Sequence, residues 1–534
     1  MVGSHNLFKL SSFEINKSAA VLQEQKKRIV SIKLENVLSD LKKPAASLTF
    51  IARNPYIVFV AGTPILVCRF QEILDLLISP SQNAFVPGRL ISDNVLLAQE
   101  LFSGYNQCRL PPRCALKVDL RKAYDTVEWD FLFATLRLFG FPAVFIRWIE
   151  ECVTSAHYSV VVNGGVHGFF AGARGLRQGD PMSPYLFVLV MEVLQMILQQ
   201  FIDQDGQFLY HWRCMELKLF QLSFADDLLL LCKADVQSAA SGLRDSLLET
   251  LGFQEGHLPV RYLGLPLISA RLSIADYQPL LQKIDSRIKG WEGVQLSFAG
   301  RVQLIKSVLV SLEVYWAMAF ILPKGIIKEM IKRLRTFLWK GTSSSGYPKV
   351  AWEIVCRPVE EGGQGIKDIF ALNRALMSKH LWAVIKQVRT SIWVDWIFQV
   401  RLRDCSIWTA KDNKDDKYRT LDKLSVVMKD GQWNWPMITD IACLEITYMF
   451  PPISEGQDRI SWKSNDGSFN TSTAYDLFRQ PGPKVVWSSL LLGPFKIPKN
   501  CFILWLAIMG NCPHWINHGF TTQTVTAFCV RMEP

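Results

Sequence analysis

Several things are scarce in this 534-residue chain. Its 12 cysteines never form a CxxC pair, and some, such as Cys152 and Cys232, fall inside apolar segments. That spacing points to reduced core residues of an intracellular protein rather than a disulfide framework. The first twenty residues lack the apolar core of a signal peptide. The most apolar runs, Tyr56 to Cys68 and Tyr185 to Leu198, are too short to span a bilayer or are broken by Glu192. The expectation is a soluble chain with no membrane partner. Acidic residues are also in deficit, 48 against 59 lysines and arginines, for a net charge of +11. Such an excess suits a polyanionic partner but is shared with many proteins that bind none. With 49% hydrophobic and 20% charged residues the chain is folded rather than disordered, and its length suggests two to four domains.

One stretch stands out from this background. In LKLFQLSFADDLLLLC, Asp226 and Asp227 lie between the apolar runs Leu222 to Ala225 and Leu228 to Cys232. Two short apolar runs around a polar step predict buried strands joined by a tight turn, with both carboxylates at its exposed end. Buried carboxylates require protonation, a cationic partner or a metal ion. A plain polar turn is the competing reading.

A third carboxylate lies upstream. Ala115 to Asp119 alternates, Leu116 and Val118 against Lys117 and Asp119, which predicts a strand ending at Asp119. Asp125 with Glu128 fits an N-cap and capping box for a helix from Thr126 to Phe139, closed by Gly140. Asp125 is therefore assigned a structural role and Asp119 a catalytic one. Further along, Asn163-Gly164-Gly165 predicts a hairpin. Ser183 is placed as the cap of an almost wholly apolar, buried helix from Tyr185 to Phe201.

Together VDLRKAYD, GLRQGDPMSP and FADD, in this order, resemble the palm motifs of a reverse transcriptase of plant LINE-type non-LTR retrotransposons. The match runs nearly continuously from Arg69 to about Ala234. The resemblance implies an α+β right-hand polymerase of fingers, palm and thumb, with a split βαβ palm followed by a mostly helical C-terminal region. It implies two Mg²⁺ ions, with Mn²⁺ as a substitute, held by Asp119 and Asp226 with Asp227 assisting. Tyr124 resembles the aromatic gate that crowds a ribose 2′-hydroxyl, and Gln178 and Gly179 resemble the loop beneath the incoming nucleotide. Arg121, Lys122 and Arg177 are candidate phosphate contacts, with solvated structural roles as the alternative. The implied partners are an RNA template, a DNA primer and deoxynucleoside triphosphates, and the implied location is nuclear or cytoplasmic.

The same resemblance continues through VRYLGLPL, GWEGVQLSFAGR and IIKEMIKRLRTFLWKG, where Ser297 is a candidate N-cap and Lys328, Lys332, Arg333 and Arg335 make one helix basic. The expected domains are a poorly matched region 1–68, reverse transcriptase fingers and palm 69–257, a helical thumb 258–340, and 350–534, which resembles a truncated zinc-binding region. Cys501, Cys512, His514, His518 and Cys529 match no tight tetrahedral spacing, so no zinc is predicted. Tryptophans 393, 396, 433 and 435 are assigned to the core rather than to a base-stacking platform. Between Lys233 and Arg261 one helix, 237–251, is expected and no final palm strand, which reads as an internal deletion. With the missing Arg-Pro-Ile type fingers segment, that gap leaves two readings: an RNA-directed DNA polymerase, or an inactive retroelement remnant that at most binds nucleic acid.

Overall fold

The computed structural model describes residues 63–107, 109–205, 208–233, 256–269, 272–291, 295–340, 347–388, 390–402, 428–429, 432–433, 462, 468–479, 481–488 and 497–509. The N-terminal region to residue 62, the helix expected at 237–251, residues 341–346, Trp435, and Cys512, His514, His518 and Cys529 lie outside them. Chain packing divides the protein into two units, residues 1–269 with 388–411, and residues 270–387 with 412–534.

The first unit opens with α1 (Thr63–Leu77). Its stripe of Phe70, Ile73, Leu74 and Leu77, at helical spacing, is buried to within 2%. A loop leads to α2 (Ile91–Phe102). Then come β1 (Arg113–Asp119), a 3₁₀ turn at Tyr124–Thr126, α3 (Trp129–Leu138) and α4 (Ala143–Thr154). The capping box is a correction: Asp125 belongs to the 3₁₀ turn, and α3 starts after Glu128, which makes no side-chain cap. Gly140, at φ +78°, does close α3.

Next, β2 (His157–Val162) and β3 (Gly165–Ala171) form the hairpin predicted from Asn-Gly-Gly. α5 (Ser183–Asp205) is longer than expected at both ends. Ser183 lies inside it, and the carboxylate of Asp180 instead accepts from Met182 N at 2.8 Å. Leu186 to Met191 and Val193 are all buried in the core shared with α1, α3 and α4. Glu192 is tolerated there because it accepts from Ser79 N and Oγ at 3.0 and 3.1 Å. By length and composition alone, Ser183–Gln204 and Phe298–Ala319 are long and apolar enough to cross a membrane, so Glu192 does not shorten the first as expected.

β4 (Gln221–Phe224) and β5 (Asp227–Lys233) follow. The sheet order is β1-β5-β4, antiparallel throughout, with β5 central. Leu228 and Leu229 point to opposite faces and are 4% and 2% exposed, so both faces of β5 are covered there, which fits the unbroken leucine run Leu228 to Leu231. β6 (Val260–Tyr262) and β7 (Leu265–Leu267) form a separate pair within the same unit.

In the second unit, α6 (Gln278–Lys289) precedes α7 (Phe298–Leu304), which runs through a π turn at Ile305–Leu309 into α8 (Val310–Ala319). Ser297 is the N-cap, its Oγ accepting from Gly300 N at 3.2 Å. α9 (Lys324–Trp339) carries the basic residues: Lys328 is exposed, whereas Arg333 is bonded to Asp285 and Glu329. α10 (Trp352–Cys356) and α11 (Ile369–Ile385) come next. The chain then returns to the first unit through α12 (Ile392–Trp396). Trp396 is fully buried with its indole N–H on Arg213 O at 2.8 Å, and Trp393 is 7% exposed, so both are core residues as expected. Back in the second unit, α13 (Thr471–Phe478) packs on α11, and α14 (Pro498–Ile508) carries Cys501.

Candidate active site

The register of the sheet brings the acids together. Asp119, the last residue of β1, is the antiparallel partner of Asp227, the first of β5. Directly opposed residues share a face, and so do residues two apart, so Lys117, Asp119 and Asp227 project to the same side. Lys117 Nζ lies 3.8 Å from Asp227 Oδ1. Asp226 sits in the two-residue turn between β4 and β5, because Phe224 pairs directly with Asp227. A turn position releases Asp226 from strict strand alternation, so it is not forced to the face opposite Asp227.

The electrostatics follow from that crowding. Burial raises the Asp227 carboxyl above its ordinary value, the nearby ammonium of Lys117 lowers it, and repulsion from Asp226 and Asp119 raises it further. Asp227 therefore senses both neighbouring acids. Among the described residues no group of three or more His, Cys, Asp or Glu side chains is gathered tightly enough to enclose a metal ion. The donor set nevertheless fits Mg²⁺, a hard cation that keeps water ligands and binds through one or two carboxylates plus substrate phosphates rather than in an all-protein cage.

Tyr124 stands beside these acids. Its ring stacks on Phe187 at 4.5 Å, and burial, then the charge of Asp226, push its phenol up to about 12. Its backbone carbonyl accepts from Leu176 N at 2.8 Å, and Gly175 N donates to Val127 O at 2.7 Å. Trp129 completes the link with its indole N–H on Gly175 O at 2.9 Å. These bonds tie the GLRQGD loop to the segment after β1. Gly175 permits it: at φ +87°, an added Cβ would lie 3.1–3.3 Å from the backbone of Asp125.

The other candidates divide. Gln178 and Gly179 are exposed, and Gly179, at φ +90°, has open space where a Cβ would stand. Lys122 and Arg121 are exposed beside Asp119, and Lys122 O accepts from the amides of Asp125 and Thr126. Arg177, open between phosphate and a structural role, donates to Cys152 O at 2.8 Å and pairs with Asp180 at 3.3 Å. Arg89 is likewise internal, its guanidinium bonded to the carbonyls of Ile78, Ser79 and Gln82 and to Asp75.

Sequence reasoning missed the support behind the turn. Gln82 is 3% exposed. Its Oε1 accepts from Ala225 N and Ala84 N, both at 3.0 Å, and its Nε2 donates to Ala225 O at 3.3 Å. Asn83 N and Asn94 Nδ2 both donate to Ser223 O, at 3.1 and 2.8 Å. A polar Ser-Gln-Asn run in a loop carries no sequence signal that separates these bonds from ordinary solvation.

Comparison with known proteins bears on what this arrangement is. Residues 63–254 match the reverse transcriptase (RNA-dependent DNA polymerase) family. The chain is 27% identical over 332 residues to an uncharacterised 149 kDa protein of transposon TX1 from Xenopus laevis, covering 56% of this chain and 24% of that protein. It is 29% identical over 311 residues to a putative ribonuclease H protein of Arabidopsis thaliana, covering 46% and 50%. A Pol polyprotein of retrotransposable element R2 from Popillia japonica is 34% identical over 121 residues, covering 23% and 19%. The chain thus spans half or less of the length of these relatives. Where the acids, Tyr124 and the GLRQGD loop converge, residues 63–254 carry a reverse transcriptase domain, in a chain similar to proteins of transposon TX1 and of retrotransposable element R2.

Proposed function

We propose that this domain is an RNA-directed DNA polymerase that extends a DNA primer on an RNA template using deoxynucleoside triphosphates. The observation that carries the reading is the pairing of Asp119 with Asp227 at the tip of the β4–β5 hairpin, with Asp226 in the turn between. Asp119 and Asp226 would hold Mg²⁺ or Mn²⁺, with Asp227 assisting. When bound, the ions lower the pKa of the primer 3′-hydroxyl and take up charge on the leaving pyrophosphate.

The chain's own residues supply the rest. Lys117 favours the charged form of Asp227, partly offsetting burial and the repulsion of its neighbours. Tyr124, fixed between Phe187 and the Leu176 amide, presents a rigid ring beside Asp226 that would crowd a 2′-hydroxyl and favour deoxynucleotides. Gln178 and Gly179 offer an uncrowded backbone surface beneath a nucleotide. Lys122 and Arg121 are the exposed cations available to phosphate. Arg177 is withdrawn from that role by Cys152 and Asp180. The sheet β1-β5-β4 would be the core of a split βαβ palm. In the second unit, Lys328 and its neighbours on α9 would track the backbone of a template–primer duplex.

Primer extension on poly(rA)/oligo(dT) with Mg²⁺ tests the reading. Incorporation by the wild type, reduced at least a thousandfold by Asp226→Asn, is the expected result. No incorporation by the wild type, with RNA binding that weakens as salt rises, would instead support a binding remnant. Tyr124→Ala is expected to let ribonucleotides compete.

A further inference from the structure

Ala225 is the first residue of the β4–β5 turn and has φ +55°, a left-handed conformation that non-glycine residues rarely adopt. The corresponding residue of the β2–β3 hairpin is Asn163, φ +50°, followed by Gly164, a pair suited to such a turn. Nothing local in Phe-Ala-Asp-Asp favours a positive φ at its alanine. What does favour it comes from far away in sequence. The side chain of Gln82 grips Ala225 by both backbone groups, accepting from its N–H and donating to its C=O. The segment behind Gln82 is anchored in turn: Gln82 bridges Ser223 in parallel, Ser223 N donates to Ser81 O at 2.8 Å, and Arg89 donates to Gln82 O at 2.7 Å.

We infer that Gln82 is a positioning residue, whose amide holds the Ala225–Asp226 turn in the conformation that aims the Asp226 and Asp227 carboxylates. The amide suits this role because it accepts and donates at once, and so satisfies Ala225 N–H and C=O together. Glutamate would keep the acceptor, lose the donor and add a fourth negative charge. Methionine would keep the length and lose both bonds.

The consequence for the acids rests on the polymerase reading above; the grip on the turn does not. Two measurements on the full chain therefore separate them. The first is amide hydrogen exchange in the wild type and in Gln82→Met. In the wild type the Ala225 amide is expected to be protected and the Asn163 amide to exchange at least tenfold faster. In Gln82→Met, Ala225 is expected to speed up at least tenfold while Leu229 and Leu231 keep their protection. A fast Ala225 amide in the wild type overturns the inference even if the variant fails to fold, and an Ala225 rate unchanged by Gln82→Met overturns it as well.

The second is Mn²⁺ binding followed by electron paramagnetic resonance. Gln82→Met is expected to weaken it about fivefold to tenfold, and Asp226→Asn to weaken it further. In an Ala225→Gly background, where glycine adopts the turn unaided, the effect of Gln82→Met is expected to shrink below twofold, which a general loss of packing would not produce. Affinity that falls with Asp226→Asn but not with Gln82→Met overturns the positioning role. Affinity indifferent to Asp226→Asn, with Ala225 still deprotected by Gln82→Met, upholds the grip and removes the metal reading instead.

Discussion

The two hairpins of the first unit, β2–β3 and β4–β5, share a plan and differ in almost everything else. Each joins two antiparallel strands through a two-residue turn whose first residue has positive φ. The β2–β3 turn is made by Asn163-Gly164, and its strands are exposed along nearly their whole length, with Val161 67% and Phe169 78% accessible. The β4–β5 turn is made by Ala225-Asp226, and behind it Leu222 and Leu229 are buried to 0% and 2%. One hairpin is specified by its own turn residues. The other is specified by its surroundings, β1 on one edge, Gln82 at the tip and leucines packed beneath, and this allows its turn residues to be chosen for chemistry. Strained backbone held by neighbours is a recurrent property of functional sites.

The largest way to break this contrast is through the strands. Leu229→Ala is expected to lower unfolding stability by about 2–5 kcal/mol, whereas Val161→Ala changes it by less than about 0.5 kcal/mol, both read from denaturant midpoints. Equal losses would mean that the β2–β3 hairpin is packed in solution. Gly175→Ala should follow at about 1–3 kcal/mol, since it forces a Cβ into a left-handed position against Asp125. It should also lower primer extension by loosening Tyr124. Ala225→Gly sharpens the comparison most finely: relief of left-handed strain should raise stability by up to about 1 kcal/mol, less whatever methyl burial is lost. A clear loss of stability would show that the alanine side chain, not its backbone, is what the site needs.

Much of this was readable because apolar spacing carries it. The stripe on α1, the alternation into Asp119 and the paired runs around Asp226 and Asp227 locate the sheet and its acids from the chain alone. Two cases mark where spacing ends. Asp125 and Glu128 have the right separation for a capping box, yet Asp125 lies in a 3₁₀ turn whose flanks are bonded to Gly175 and Leu176. Arg177 stays open between phosphate and a structural role in the sequence, because a guanidinium's partner is set by which carbonyls and carboxylates fold around it. Gln82 was invisible for the same reason, because its partner lies 143 residues away.

The returning segment at 390–402 has a practical consequence for dissection of the protein. Arg401 meets Glu100 at 3.0 Å with both side chains at most 7% exposed, and Trp396 fills a site on Arg213. A fragment ended near residue 269 would leave the carboxylate of Glu100 without this cation and would open a cavity the size of an indole. Splicing 388–411 back onto such a fragment, rather than trimming the chain at one point, is the route to an isolated first unit.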